Sequence, residues 1–208
     1  MTDSPLRGQR LPRQARRRQL LGAAQEVFVA QGYHAAAMDD IAERAGVSKP
    51  VLYQHFPGKL DLYLALLEEH ATSLVGRVRT ALESTTNNKQ RVAASVAAYF
   101  DFVNGADEGF RLVFESDLRN DPLVRDRVER MTAECVAAIT ETIDHDTGLT
   151  AEEATLLSVG LTGMAEIGAR WWLSTEGRMP KERAVELLAG LAWRGISGAP
   201  LQPDAPVG

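Results

Sequence analysis

The sequence predicts an all-α protein of about nine helices, in which a small N-terminal three-helix module precedes a larger C-terminal helical bundle. Two observations carry this. Apolar residues recur with a period near 3.6 almost everywhere between residues 13 and 199, and no strand-like alternation persists. The connections are short, so neighbouring helices should pack antiparallel.

The elements follow in order. A helix over about Arg13–Gln31 carries Leu20, Leu21, Ala24, Val27 and Phe28 on one stripe, and Gly32 should stop it. Short helices follow over about Met38–Ala45, ended by Gly46, and Lys49–His55. After Pro57-Gly58 a long helix should carry Leu62, Leu66, Leu67 and Val75 on towards Glu83, and a fifth covers about Asn88–Val103. A short sixth surrounds Phe110–Phe114, and a seventh runs over about Leu123–Asp144, with Val124, Val128, Met131, Cys135 and Ala138 on its stripe. The eighth, about Ala151–Ser174, should be N-capped by Thr150 with Glu153 completing a capping box. The ninth covers about Lys181–Ile196, after Pro180. Four segments result: a flexible basic arm at 1–12, a module at 13–58, a bundle at 59–199, and a disordered tail at 200–208 punctuated by Pro200, Pro203 and Pro206.

Charge is spread unevenly. Through Leu60 the chain has nine Lys/Arg against five Asp/Glu; whole-chain totals of 23 and 28 leave 14 against 23 beyond it. A basic module on an acidic body suggests that one end meets a polyanion, although a merely solvated basic helix gives the same count. The only cysteine, Cys135, allows no internal disulfide, which fits a reducing cytoplasm. No apolar run approaches the ~18 residues of a membrane span, so no membrane partner is expected.

Residues 38–56 hold the sharpest pattern. Ile41, Ala42 and Ala45 should face inward, Gly46 should make a tight turn plugged by Val47, and Leu52 and Phe56, four apart, should anchor the next helix. Ser48 should N-cap that helix through its side chain, with Pro50 in the first turn where a missing N–H costs nothing. Two helices joined by such a glycine turn form a helix-turn-helix. The second would present Lys49, Pro50, Val51, Tyr53, Gln54 and His55 outward. Lys49 suits a guanine or a phosphate, Gln54 an adenine, and Pro50 and Val51 a thymine methyl. Tyr53, His55 and Lys59 suit phosphates; alternatively Tyr53 is partly core and His55 a capping residue.

These residues resemble the TetR-type regulators over about Arg13 to Leu66. The motif is Gly32-Tyr33, then Asp40-Ile-Ala…Ala-Gly-Val-Ser48, then Leu52-Tyr-x-His-Phe56 with Lys59. One departure is Ala35-Ala36-Ala37, where the family often has Thr or Ser; backbone amides at Ala37 or the basic arm would have to replace that phosphate contact. Further runs resemble the actinobacterial FasR-type subgroup: Arg7-Gly-Gln-Arg-Leu-Pro12, Gly32 to Ala36, Val47 to Phe56, Phe100-Asp-Phe102 and Phe110-Arg-Leu-Val-Phe-Glu115. The resemblance implies a homodimer on palindromic double-stranded operator DNA, controlling fatty-acid synthesis genes in response to long-chain acyl-CoA. A TetR-type regulator of an efflux or catabolic operon, sensing another hydrophobic molecule, is the alternative.

In the bundle, Tyr99, Phe100, Val103, Phe110, Phe114, Met131, Cys135, Met164, Ile167 and Trp171 are the expected ligand walls, though any single one is as readily plain core. Arg77, Arg91, Arg111 and Arg170 are candidates for holding CoA phosphates. The eighth helix is apolar on more than one face, so Leu156, Val159, Gly160 and Gly163, with Leu188 and Leu191 of the ninth, are the expected dimer interface. Burial within one subunit is the competing explanation. The four histidines lack metal-ligand spacing, no phosphate loop follows a strand, and Cys135 lies on an apolar stripe, so neither an enzyme nor a cofactor is expected. A lipid carrier would explain the bundle but not the basic helix-turn-helix.

Overall fold

The computed structural model describes residues 11–105, 109–114, 118, 120–175 and 178–195. Residues 1–10 of the expected arm and the whole expected tail lie outside these. Among the described residues there are nine helices and no strand: α1 (Arg13–Ala35), α2 (Met38–Arg44), α3 (Lys49–His55), α4 (Lys59–Glu83), α5 (Asn88–Val103), α6 (Gly109–Phe114), α7 (Pro122–Asp146), α8 (Ala151–Ser174) and α9 (Lys181–Arg194). None of these helices is long and apolar enough to cross a membrane.

The main departure in helix limits is at α1. Gly32 does break it, with φ of 75°, but a helical turn resumes and carries the chain to Ala35. At the other end of the chain, Gly195 ends α9 with φ of 73°, and Ile196 lies outside the described residues. Side chains cap the longer helices as expected for their types: Asn87 accepts from Gln90 N–H, Asp121 from Leu123 and Val124, and Thr150 and Glu153 form the capping box.

The chain divides into two units, and the break falls inside α4 between Leu66 and Leu67. The expected boundary at Gly58 is therefore too early, because the first turns of α4 belong to the N-terminal core. Tyr63 packs edge-on against both Phe28 and Tyr33, with ring centroids 5.3 Å away in each case, and Leu62 is wholly buried. Leu20, Ile41 and Leu52 complete that core, each fully buried and contributing about 1.5–3 kcal/mol.

In the second unit α8 organises the packing. Its inward stripe is Ala154, Ser158, Thr162, Ala165, Ala169 and Trp172, mostly small residues that let α5 and α7 lie close. Trp172 stacks obliquely on Phe100, and its indole N–H donates to the Met179 carbonyl at 2.7 Å. Phe102 and Phe114 meet edge to face, and Arg170 lies over the Phe114 ring. Gly168 lets α9 approach: a Cβ there would stand 2.6 Å from Leu188 Cδ2.

Candidate functional site

The α2–α3 pair forms a helix-turn-helix whose turn is closed by backbone bonds. Gly46 adopts φ of 64°, its N–H donates to Glu43 O at 3.0 Å, and Val47 N–H donates to Ala42 O at 3.0 Å. This is a Schellman closure, and it requires the left-handed conformation that glycine adopts without a Cβ penalty.

The start of α3 differs from expectation. Ser48 occupies the N-cap position but its side chain makes no capping bond. An N-cap side chain serves the second or third amide of the helix. The second is Pro50, which has none, and the third, Val51, donates to the Ser48 carbonyl at 3.0 Å instead. The exposed Ser48 hydroxyl is left facing outward. Pro50, Gln54 and Lys49 are also exposed, Tyr53 is 46% exposed, and Val51 is half-buried against the module. The partly-core alternative for Tyr53 therefore does not hold.

Lys49 is held in place by an exposed ion pair with Asp39 of α2, Nζ to Oδ2 at 2.5 Å, and the carboxylate raises its pKa. Such a surface pair is worth about 0–1 kcal/mol, so a phosphate or base edge can displace it. Ala37 is the exposed N-cap of α2, again without a side-chain cap, and Asp39 and Asp40 sit in the first turn. Their charges favour that helix end, which offsets the missing Thr or Ser.

Lys59 is a correction. It does not face outward as a phosphate contact. Its ammonium donates to the carbonyls of Tyr33 at 2.7 Å, Ala36 at 2.8 Å and His34 at 3.3 Å, and it lies 4.5 Å from the Tyr33 ring centroid. All three donors are used, so Lys59 braces the α1–α2 turn. His55 is half-buried with its ring tilted against Phe56. Its pKa is lowered first by burial, then by Arg13, Arg17 and Arg16. Charge counting pointed to those arginines as a group, but not to their gathering around the C-terminal end of α3. Arg17 also lies over the Phe56 ring at 4.6 Å.

In the second unit a cavity of about 400 Å³ lies among α4, α5, α7, α8 and α9. Its walls include Leu82, Val92, Val96, Tyr99, Ile139, Ile143, Leu161, Ala165 and Trp193, and its polar margin is Asn88, Arg91, Ser95, Thr142 and Asp146. Of the expected ligand walls only Tyr99 borders it, and of the four arginines expected near CoA phosphates only Arg91 does. Phe100, Val103, Phe110, Phe114, Met131 and Cys135 are buried and do not border the cavity; Phe100 packs on Trp172, and Phe114 on Phe102 and Arg170. Met164 is half-buried and does not reach the cavity, while Ile167 and Trp171 are 66% and 62% exposed. Burial pushes the Tyr99 phenol and the adjacent Cys135 thiol up, leaving both neutral at pH 7.

Ile167 and Trp171 lie instead on the face that carries the residues expected at the dimer interface. They share the outer face of α8 with Leu156, which is 71% exposed, and with Gly160 and Gly163, while Val159 is exposed beside them. Nothing in the protomer lies within 4 Å of a Cβ placed at Gly160 or Gly163. Leu187, Leu191 and Trp193 extend exposed apolar surface onto α9. Leu188 is half-buried and packs on Gly168 within the protomer.

Residues 20–66 match the bacterial regulatory proteins of the tetR family, and residues 77–207 match the tetracyclin repressor-like C-terminal domain. The chain belongs to the TetR family. TetR-family proteins are DNA-binding transcription regulators rather than enzymes. This chain is 51% identical over 195 residues to the HTH-type transcriptional activator FasR of Mycolicibacterium smegmatis, covering 94% of the chain and 89% of the relative. It is 28% identical over 105 residues to the fatty acid metabolism regulator protein of Bacillus subtilis, covering 50% of the chain and 54% of that protein. Among solved structures, FadR of Bacillus subtilis in complex with stearoyl-CoA superposes with a TM-score of 0.72 at 20% identity, over 86% of this TetR-family chain and 98% of that one. That last likeness concerns the fold.

Proposed function

We propose that this TetR-family regulator acts in the cytoplasm as a homodimer on palindromic operator DNA, controls fatty-acid synthesis genes, and takes long-chain acyl-CoA as its effector. The observation that carries the effector reading is the cavity: an apolar space of about 400 Å³ with a charged margin, in a chain 51% identical to FasR. That volume lies within the ~300–1,000 Å³ of small-molecule sites. Lys49 and Gln54 read bases, Pro50 and Val51 meet thymine methyls, and the Ala37 amide, Ser48, Tyr53 and His55 hold phosphates. The outer face of α8, with Leu191 of α9, meets its mate across the two-fold axis.

The two activities are linked through α4. The helix starts at Lys59, braced on the α1–α2 turn, and reaches the cavity at Leu82 near its other end. A ligand that favours one placement of Leu82 favours one spacing of the two reading heads. Coupling of ~1–3 kcal/mol changes operator affinity about 5–150-fold. The test is to titrate the protein–operator complex with acyl-CoAs of increasing chain length. Operator affinity should change with long chains and not with free CoA. An equal response to all of them overturns the acyl-CoA reading and leaves DNA binding intact.

A further inference from the structure

Most hydroxyl side chains of α7 and α8 follow one pattern. Thr132, Thr140, Thr142, Thr155 and Ser158 each donate back to the carbonyl four residues earlier, at 2.7–3.2 Å. Ser95 departs from it. It lies in the middle of α5, is 8% exposed and borders the cavity, and its hydroxyl has no hydrogen-bond partner among the described residues. Buried hydroxyls are normally satisfied, so an unpartnered one beside a cavity marks where a ligand atom completes the set once the side chain turns towards that space. Thr162 also makes no back-bond, but its hydroxyl faces the Tyr99 phenol, and it borders an outer groove between α7 and α8 rather than this cavity.

The position of Ser95 says which ligand atom this is. Arg91, Ser95 and Tyr99 succeed one another along α5 at four-residue steps of about 6 Å. Arg91 and Asp146 also border a shallow outer hollow with Glu141 and His145, so the cavity meets solvent at this charged end. Below Ser95 the walls turn apolar, with Val96, Ile139 and Ala165. Thr142 and Thr147 also line this end, but their hydroxyls are spent on the carbonyls of Ala138 and Ile143, so Ser95 carries the unpartnered hydroxyl between the charged pair and the hydrocarbon walls.

Arg91 itself is already engaged. Its Nε donates to Leu82 O at 3.0 Å and Thr85 O at 2.7 Å, and Nη1 donates to Asn88 Oδ1 at 2.9 Å and to the Asp146 carboxylate. It ties the ends of α4, α5 and α7 together. It shapes the mouth, and discrimination falls to the hydroxyl below it.

We propose that Ser95 is a specificity-determining residue, donating its hydroxyl hydrogen to the carbonyl oxygen of a bound acyl thioester whose head stays outside the Arg91–Asp146 pair and whose tail runs towards Tyr99. This rests on the acyl-CoA reading above, and the experiment separates the two. Calorimetric titration compares stearoyl-CoA with S-octadecyl-CoA, a thioether lacking only the carbonyl oxygen, against the full-length wild type and Ser95→Ala. The wild type should bind the thioester about five- to tenfold more tightly. In Ser95→Ala the two ligands should bind equally, with thioether affinity unchanged. The free variant should melt no lower than the wild type, because the change removes an unsatisfied buried group and leaves a good helix former. A wild type without preference, or a variant that keeps it, overturns the role of Ser95 alone. Failure of both ligands to bind the wild type overturns the acyl-CoA reading and this proposal with it.

Discussion

The reading head and the ligand unit use polar groups in opposite ways. In the head, polar side chains are either exposed, as with Ser48 and Gln54, or bound to backbone, as with Lys59 on three carbonyls. In the ligand unit, the cavity wall carries Ser95 with no partner, within a unit otherwise packed by Phe100, Phe114 and Trp172. A surface that binds a polyanion can be complete without its ligand, because water satisfies it meanwhile. The Ser95 oxygen is instead shielded by the protein around it, so its lack of a protein partner shows directly.

If the outer face of α8 joins two subunits, breaking it should have the largest effect on the head without touching it. Ile167→Glu places a charge on a side chain with no core role. It should turn the dimer into a monomer by sedimentation and lower operator affinity by about 100-fold or more, since each subunit holds one half-site. An unaltered dimer would remove this face from the interface.

Two lysines ten residues apart sharpen the contrast within the head. Lys59→Met should destabilise the N-terminal unit by about 2–3 kcal/mol, because bonds from a charged donor to part-buried carbonyls are lost together. Lys49→Ala should leave the melting temperature nearly unchanged and weaken operator binding by about 1–3 kcal/mol if it contacts a base. Denaturant melts beside DNA titrations separate the two roles, and reversed results would exchange them.

The smallest expected effect is that of pH. The folded-state pKa of His55 is depressed by burial and by Arg13, Arg17 and Arg16, so the unfolded chain takes up the proton more readily. The stability that neutral His55 contributes is present above the unfolded pKa, near 6.5, and is lost as pH falls through the folded value. His55→Gln should therefore show a smaller drop in melting temperature than wild type between pH 7.5 and 5.5. An equal drop would assign the acid sensitivity to other groups.

The two regions were also unequally legible from sequence. The helix-turn-helix could be placed to within a residue because its determinants are local: a glycine at the left-handed position, alanines where helices touch, and Leu52 and Phe56 four apart. Even the missing Ser48 cap was readable in principle from Pro50 at the second helical position. The brace made by Lys59 was not, since it depends on where the carbonyls of residues 33–36 point after the kink at Gly32. In the bundle, periodicity located every helix but not which aromatics face empty space. Phe100 and Phe114 have the composition of a pocket wall and the surroundings of a core, and only the neighbours Trp172, Phe102 and Arg170 decide between the two.

Cys135 makes the ligand unit open to direct timing. It is the chain's only cysteine, fully buried beside Tyr99, with its thiol kept protonated by burial. A thiol-reactive dye added in excess can modify it only when the packing around it opens, so the labelling rate counts those openings one molecule at a time. A molecule that occupies the closed form should slow the count by the factor by which it stabilises that form. The same single thiol, left in its native place, thus serves as an internal stopwatch for effector screening without fluorophore, operator or engineered residue.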